Sequence, residues 1–173
     1  MSPAPTARTI WSIGHSNHSL AGLVELLHGG GIEVVADLRS QPRSRFNPQF
    51  DRRSFERGLA AAGIGYEWFG DDLGGRPTDP ERRDAAGDVD DGAVAATERF
   101  DRGIDRLLEV SADARVAMLC SEGDPTACHR RRLVTPAVID RGAAVIHITA
   151  DGTTISEPEL AAQIEAARPP TLF

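Results

Sequence analysis

The segment from Cys120 to Arg130, Cys-Ser-Glu-Gly-Asp-Pro-Thr-Ala-Cys-His-Arg, concentrates side chains that can do chemistry. It holds both cysteines of the chain, an imidazole, a carboxyl at Glu122 and the first of three consecutive arginines. The apolar run Val116-Ala-Met-Leu119 precedes it and Leu133-Val-Thr-Pro-Ala-Val-Ile139 follows. A buried strand is therefore expected to deliver one thiol and one carboxyl to a turn, after which a helix opens with the second thiol. Cys128, at a helix start beside Arg130, is expected to have a lowered thiol pKa, the condition for a nucleophile. Cys120 reads equally well as a small buried filler. Neighbours on a helix point about 100° apart, which makes His15, from a different strand end, a better base than His129. The phosphatase spacing of Cys, five residues and Arg is absent, because Thr126 stands where the arginine would be. Cys120, Cys128, His129 and His15 lack paired Cys-x-x-Cys spacing, so neither a metal site nor a cofactor is expected. A reversible disulfide between the two cysteines is the lesser option.

Arginines supply the second kind of chemistry. Arg130, Arg131 and Arg132 fall in the first turn of the expected helix, where each exposed cation opposes the helix dipole by about 0.3–1 kcal/mol. Pairing with Glu122 or Asp124, or plain solvation, accounts for Arg131 and Arg132. At Arg130 a bound anion would turn the penalty into attraction. Arg39 and Arg43 lie on another loop, and the two sources together suit a phosphate or carboxylate clamp; structural ion pairs are the competing reading. The chain has no lysine, which excludes a Schiff-base lysine and a phosphate loop ending in Gly-Lys-Ser/Thr.

Asp37 and Glu122 could act as acid and base, or as nucleophile, on a nucleoside or nucleotide N-glycosidic bond. Each could instead only tie loops together. Ser16 and Asn17 are candidate ligand contacts, or merely caps. Phe46 and Phe50 could stack on a base or pack beneath their loop.

The elements that must position these groups alternate. Strands are expected at Thr9–Ile13, Glu33–Leu38, Gly65–Phe69, Arg115–Cys120 and Ala143–Thr149. A helix capped by Ser19 carries Leu20, Leu23, Val24 and Leu27, and stops at Gly29-Gly30-Gly31. Further helices are expected over residues 52–62, around Phe100–Leu108, after Cys128 with a bend or break at Pro136, and over residues 158–167. Residues 76–92 are acidic and rich in turn formers, the composition of a surface excursion or lid. Residues 1–8 read as a loose tail and 9–173 as one domain. Strands alternating with helices argue for a mainly parallel sheet covered on both faces. Ligands of such sheets sit beyond the carboxyl ends of the strands, where the polar clusters fall.

Composition narrows the classes. An apolar fraction of 40% and a charged fraction of 26% suit a globular chain of 173 residues. The apolar runs are too short to cross a bilayer, no export signal is visible, and two cysteines fit a reducing cytoplasm. The net charge of −7 argues against nonspecific binding to duplex DNA.

Ile13-Gly-His-Ser-Asn17, Asp37-Leu-Arg39 followed by Pro42 and Ser44, Leu73-Gly-Gly75, and Leu119-Cys-Ser-Glu122 followed by Pro125 and Cys128-His-Arg130 together resemble the domain of unknown function 488 family. The likeness runs from about Thr9 to Asp151. It implies a three-layer α/β fold and a shared site built from these motifs, which with the strands read above gives a Rossmann-like fold with a mainly parallel sheet of about five strands. The expected function is an enzyme, hydrolase or transferase, acting on an anionic small molecule or nucleotide component. Its expected catalytic groups are His15, Asp37, Cys120, Glu122, Cys128 and His129, with Ser16, Asn17, Arg39, Arg43 and Arg130 binding the substrate. The alternative is a noncatalytic ligand-binding, thiol-redox or metal-sensing module.

Overall fold

In the computed structural model, residues 8–169 are described. The tail expected over residues 1–8 lies outside them except for Arg8. Six strands form one sheet: β1 (Thr9–Gly14), β2 (Val34–Asp37), β3 (Gly65–Trp68), β4 (Val116–Cys120), β5 (Ala144–Ile148) and β6 (Thr154–Ser156). Their spatial order is β3-β2-β4-β1-β5-β6. The first five are parallel, and β6 pairs antiparallel with β5. The sequence reading lacks β6, because three residues are too few to display an alternation.

Alternation along the strands sends side chains to two separate apolar layers. Val116, Met118 and Cys120 belong to one, with Phe100, Ile104 and Leu107 of α5 (Glu98–Asp113) and Val138 of α6 (Thr135–Asp140). Ala117 and Leu119 belong to the other, with Leu23 and Leu27 of α1 (Leu20–Gly29) and Phe55 and Leu59 of α2 (Arg52–Ala61). A sheet with two apolar faces, each covered by helices, is the three-layer arrangement.

Local chemistry sets the ends of these helices. Ser19 caps α1 by accepting from the Gly22 amide at 3.0 Å. Thr97 caps α5, and Ser156 forms a capping box with Glu159 on α7 (Glu157–Ala166). Residues 76–92 are not one unbroken excursion. They contain the turn Pro80–Arg82 and an Arg83–Val89 bridge, and lead into α4 (Asp91–Ala95), anchored by the buried Val94. Gly70–Leu73 forms the short helix α3.

Parallel pairing aligns the strand ends that matter. Gly14 is level with Cys120, and Asp37 is level with both Leu119 and Trp68. The His15 and Ser16 amides continue the ladder, donating to the carbonyls of Cys120 and Ser121 at 2.9 Å each. The ends of β1, β2 and β4 thus open onto one edge.

Candidate functional site

The loop after β4 drops across that edge and returns through a turn at Pro125–Ala127. Asp124 opens the turn, its carboxylate accepting from the Thr126 amide at 2.8 Å. Cys128 remains extended, and Arg130–Val134 then form one wide π-helical turn before α6. Pro136 explains the widening. A proline ring collides with the carbonyl four residues back and donates no hydrogen bond, so the ladder needs an extra residue. The Thr135 amide reaches back to the Arg130 carbonyl, and the Thr135 hydroxyl donates to the same oxygen at 2.8 Å. The bend expected at Pro136 is this turn.

A cavity of about 620 Å³ lies over the edge. Cys120, Glu122, Cys128 and His129 line it, as do Arg39 and Arg43. These are six of the eleven residues singled out by sequence. Arg76, Arg132, Ser40, Gln41, Gly75, Ser121 and Ala127 complete the wall.

The two thiols and the imidazole form its reactive corner. Cys120 Sγ is 3.7 Å from His129 Nδ1, and Cys128 Sγ is 3.9 Å from the same nitrogen. All three side chains offer ligand atoms within 4.8 Å of one another. Both cysteines are free. Their acidities separate. Burial pushes the Cys120 thiol well up, helped by its hydrogen bond to Cys128 and the charge there. That same hydrogen bond pulls Cys128 down against its own desolvation, aided by His129 and by the nearby Arg130 guanidinium. The two directions favour the proton on Cys120 and negative charge on Cys128. His129 is therefore the imidazole beside the thiols, a place the sequence reading gave to His15.

Two sulfurs and one nitrogen are also donors that a soft metal accepts, with about 2.3 Å and 2.0–2.1 Å bonds to zinc. Four arginines in the same wall oppose a cation there.

The glycines of the motifs let these loops touch. A Cβ on Gly75 would lie 2.6 Å from Cγ and 2.7 Å from Nδ1 of His129, so only glycine lets this loop cross the imidazole. At Gly14 a Cβ would collide with the Glu122 backbone, and at Gly70 with the Arg39 carbonyl.

Asp37 and Arg39 form a closed pair. Arg39 Nε and Nη2 donate to the two Asp37 carboxylate oxygens at 2.9 and 2.7 Å, and the Tyr66 hydroxyl donates to Oδ2 at 2.7 Å. Asp37 is completely buried and engaged, which removes it as a free acid or base. The carboxyl pair considered for glycosidic chemistry is thereby reduced to Glu122, which is exposed at the cavity wall. Arg39 keeps one donor: its Nη1 is buried without a partner among the described residues. Arg43 and Arg76 are exposed, and neither is paired with a carboxylate among those residues. Arg132 pairs with Asp91, which ties the acidic segment to the cavity wall.

Arg130 is placed otherwise than expected. It is 0% exposed and faces the sheet. Nε donates to Ser12 Oγ at 2.8 Å, Nη1 to the Glu122 carbonyl at 2.6 Å and Nη2 to the Gly123 carbonyl at 3.2 Å. All its nitrogens are used to hold the thiol-bearing loop, so it cannot grip an anion in the cavity. The bonds continue through Ser12 Oγ to His147 Nδ1 at 3.0 Å, and from His147 Nε2 to Glu157 at 2.8 Å. Arg131 completes the chain with two bonds to Glu157.

His15 also lies outside the cavity wall. It is buried, stacked on Phe50 at 4.4 Å, and bonded through Nδ1 to the Ser16 carbonyl. Desolvation lowers its pKa to about 4, so it is neutral at pH 7, with Nε2 bare and unpartnered among the described residues. Ser16 and Asn17 do not line the cavity either. Asn17 accepts from Asn47 at 3.2 Å, tying two loops together. Phe50 is core, whereas Phe46 is 88% exposed.

Sequence reasoning missed Arg76, although it directly follows Leu73-Gly-Gly75 and could have been read with that motif. It also missed Ser12 and His147. Both share parity with buried neighbours, Ile10 and Val145, and a polar residue at an inward strand position is a signal. Tyr66 gave none.

Sheet order, two covered faces and a cavity over the carboxyl edge define a three-layer, Rossmann-like α/β protein. The family described as Domain of unknown function DUF488 matches residues 19–135, and the chain belongs to it. Gly14–Asn17 precede the matched span. No curated protein and no solved structure matches the chain. Among the described residues no helix is long and apolar enough to cross a membrane.

Proposed function

We propose that this protein is an enzyme that uses the Cys128 thiolate as a nucleophile against an anionic small molecule or nucleotide component. One observation carries the reading: the two neighbouring thiols and His129 line one cavity with Arg43 and Arg76, which pair with no carboxylate among the described residues. A phosphate or carboxylate entering the cavity would meet the guanidinium groups of Arg43 and Arg76.

The residues divide the work. Cys128 attacks the electrophilic centre. Cys120, the less acidic thiol, keeps its proton and leaves the charge to its neighbour. His129, within 4 Å of both sulfurs, is positioned to pass a proton to the leaving group. Glu122 faces the open side, where it can activate the second substrate that releases the product. Arg130 takes no part in binding and fixes the loop from below.

Iodoacetamide alkylation tests this. Cys128 should react at pH 6, where an ordinary thiol with a pKa near 8.5 is almost wholly protonated. Inorganic phosphate should slow the reaction, and Arg43→Ala with Arg76→Ala should abolish that protection. Arg130→Met, if folded, should keep it. A Cys128 that reacts no faster than a free thiol, with no protection by anions, refutes the proposal.

A further inference from the structure

We propose that Cys128 and Cys120 form an attacking and resolving pair, which reduces the disulfide of a carboxylate-bearing small molecule held in the arginine-lined cavity. This rests on the nucleophile reading above and adds the electrophile, a sulfur, and the fate of the covalent intermediate. Most nucleophilic cysteines have no second thiol at hand. Here the second sulfur lies within 4.8 Å of the first, in the same cavity wall. Bridging requires the sulfurs to close to about 2.05 Å. Cys120 is fixed at the end of β4, and Cys128 lies on an extended residue between two turns. Seven residues, Ser121 to Ala127, separate them.

The cavity selects the substrate. Among the described residues Arg43 and Arg76 pair with no carboxylate, so carboxylate groups flanking a sulfur–sulfur bond are matched and an uncharged disulfide is not. The same arginines weigh against a metal cation held by the thiols.

The chemistry balances. The Cys128 thiolate attacks one sulfur of RS–SR′. A Cys128–SR bond forms, the substrate bond breaks, and R′S⁻ leaves, taking a proton that His129 relays from water. Cys120 then attacks Cys128 Sγ. The Cys120–Cys128 bond forms, the bond to SR breaks, and RS⁻ leaves with the Cys120 proton. The substrate gains two electrons, the cysteines lose two, and an external dithiol restores them by being oxidised in turn.

The experiment mixes the reduced full-length protein with oxidised glutathione, a carboxylate-bearing disulfide, or with uncharged hydroxyethyl disulfide, and maps products by mass spectrometry. Wild type should acquire the Cys120–Cys128 bridge, about tenfold or more faster with oxidised glutathione at low salt. Cys120→Ser should stall with one glutathione on Cys128, and Cys128→Ser should take up none at Cys120. Equal rates for the two disulfides would overturn the substrate class. Absence of the bridge in wild type, or a metal bound stoichiometrically through both thiols, would overturn the pair. If the bridge fails to form while Cys128 is still rapidly alkylated and protected by phosphate, the pair falls and the nucleophile stands. If alkylation is also slow, both fall.

Discussion

Replacing Arg130 with methionine should unfold this protein far sooner than replacing either arginine beside it. Methionine keeps most of the buried stem and removes three donors, those to Ser12 Oγ and to the Glu122 and Gly123 carbonyls. Hydrogen bonds from a charged group contribute about 1.5–3 kcal/mol each. Losing all three does not cost the full sum, because the carbonyls sit on a partly exposed loop and can recruit water. The burial penalty of the guanidinium is also relieved. Breaking a buried charged arrangement from one side costs about 3–5 kcal/mol, the net expected here. For a chain of this size each kcal/mol lowers Tm by about 2–4 °C, so the variant should melt roughly 6–20 °C below wild type. Arg132→Met should lose only about 0–1 kcal/mol, because that side chain is exposed and pairs with Asp91 at the surface. Arg131→Met should fall between them, since its bidentate bond to Glu157 is largely buried. Calorimetry, with urea midpoints at unchanged slope as a check, measures the order. An Arg130→Met protein melting within about 2 °C of wild type would show that the buried network does not hold the loop.

Three further outcomes follow from the geometry. The folded His15 pKa, about 4, lies below the ordinary 6.5, so between these values the unfolded chain binds a proton that the folded chain does not. Stability should fall by about 3 kcal/mol as pH drops from 6.5 to 4 and level off below, while His15→Gln should show a flatter profile; identical profiles in urea titrations would contradict this. Gly75→Ala should displace the His129 imidazole, costing about 1–3 kcal/mol and slowing Cys128 alkylation, and unchanged thiol kinetics would disprove the contact. Asp37→Asn breaks a buried pair and should destabilise by about 3–5 kcal/mol, against about 1 kcal/mol for Tyr66→Phe; a harmless Asp37→Asn would mean the carboxylate is not the anchor of Arg39.

The fold was legible where a residue's pattern reports its burial directly. Val116-Ala-Met-Leu119 reads as a buried strand because both faces of a parallel sheet are covered, and β4 is buried throughout. Ser19 and the leucines of α1 read as a capped amphipathic helix because both signals are local. The cavity was legible as a set of strand ends, through the rule that ligands gather beyond carboxyl termini. What was not legible is direction. Sequence placed Arg130 on a helix start but could not say that its guanidinium turns inward to Ser12, a partner 118 residues away. It offered His15 as the base because adjacent helical residues diverge. Yet Cys128 is extended and His129 begins the turn, so the helical angle does not apply between them. Asp37 looked reactive because nothing local reveals the Tyr66 hydroxyl that occupies it.

These misplaced residues share one physical logic. On the proposed function, a thiolate at the edge of a sheet needs positive charge nearby, and an anionic substrate needs more of it, in a chain whose net charge is −7. The fold would meet the two needs with different arginines. Arg130 lies beneath the loop, fully hydrogen-bonded, and acts on the thiols through its field alone. Arg39 is held in place by Asp37, and its Nη1 finds no partner among the described residues. Arg43 and Arg76 remain solvated at the mouth. Charge that orients the nucleophile is thus saturated by protein, and charge that would meet substrate is left open. Were Arg130 to lose its carbonyl partners and swing into the cavity, the loop would lose its support and Cys128 its stabilising cation together. The buried arginine and the exposed ones are therefore not interchangeable, although one run of sequence places Arg130 beside two arginines of the surface.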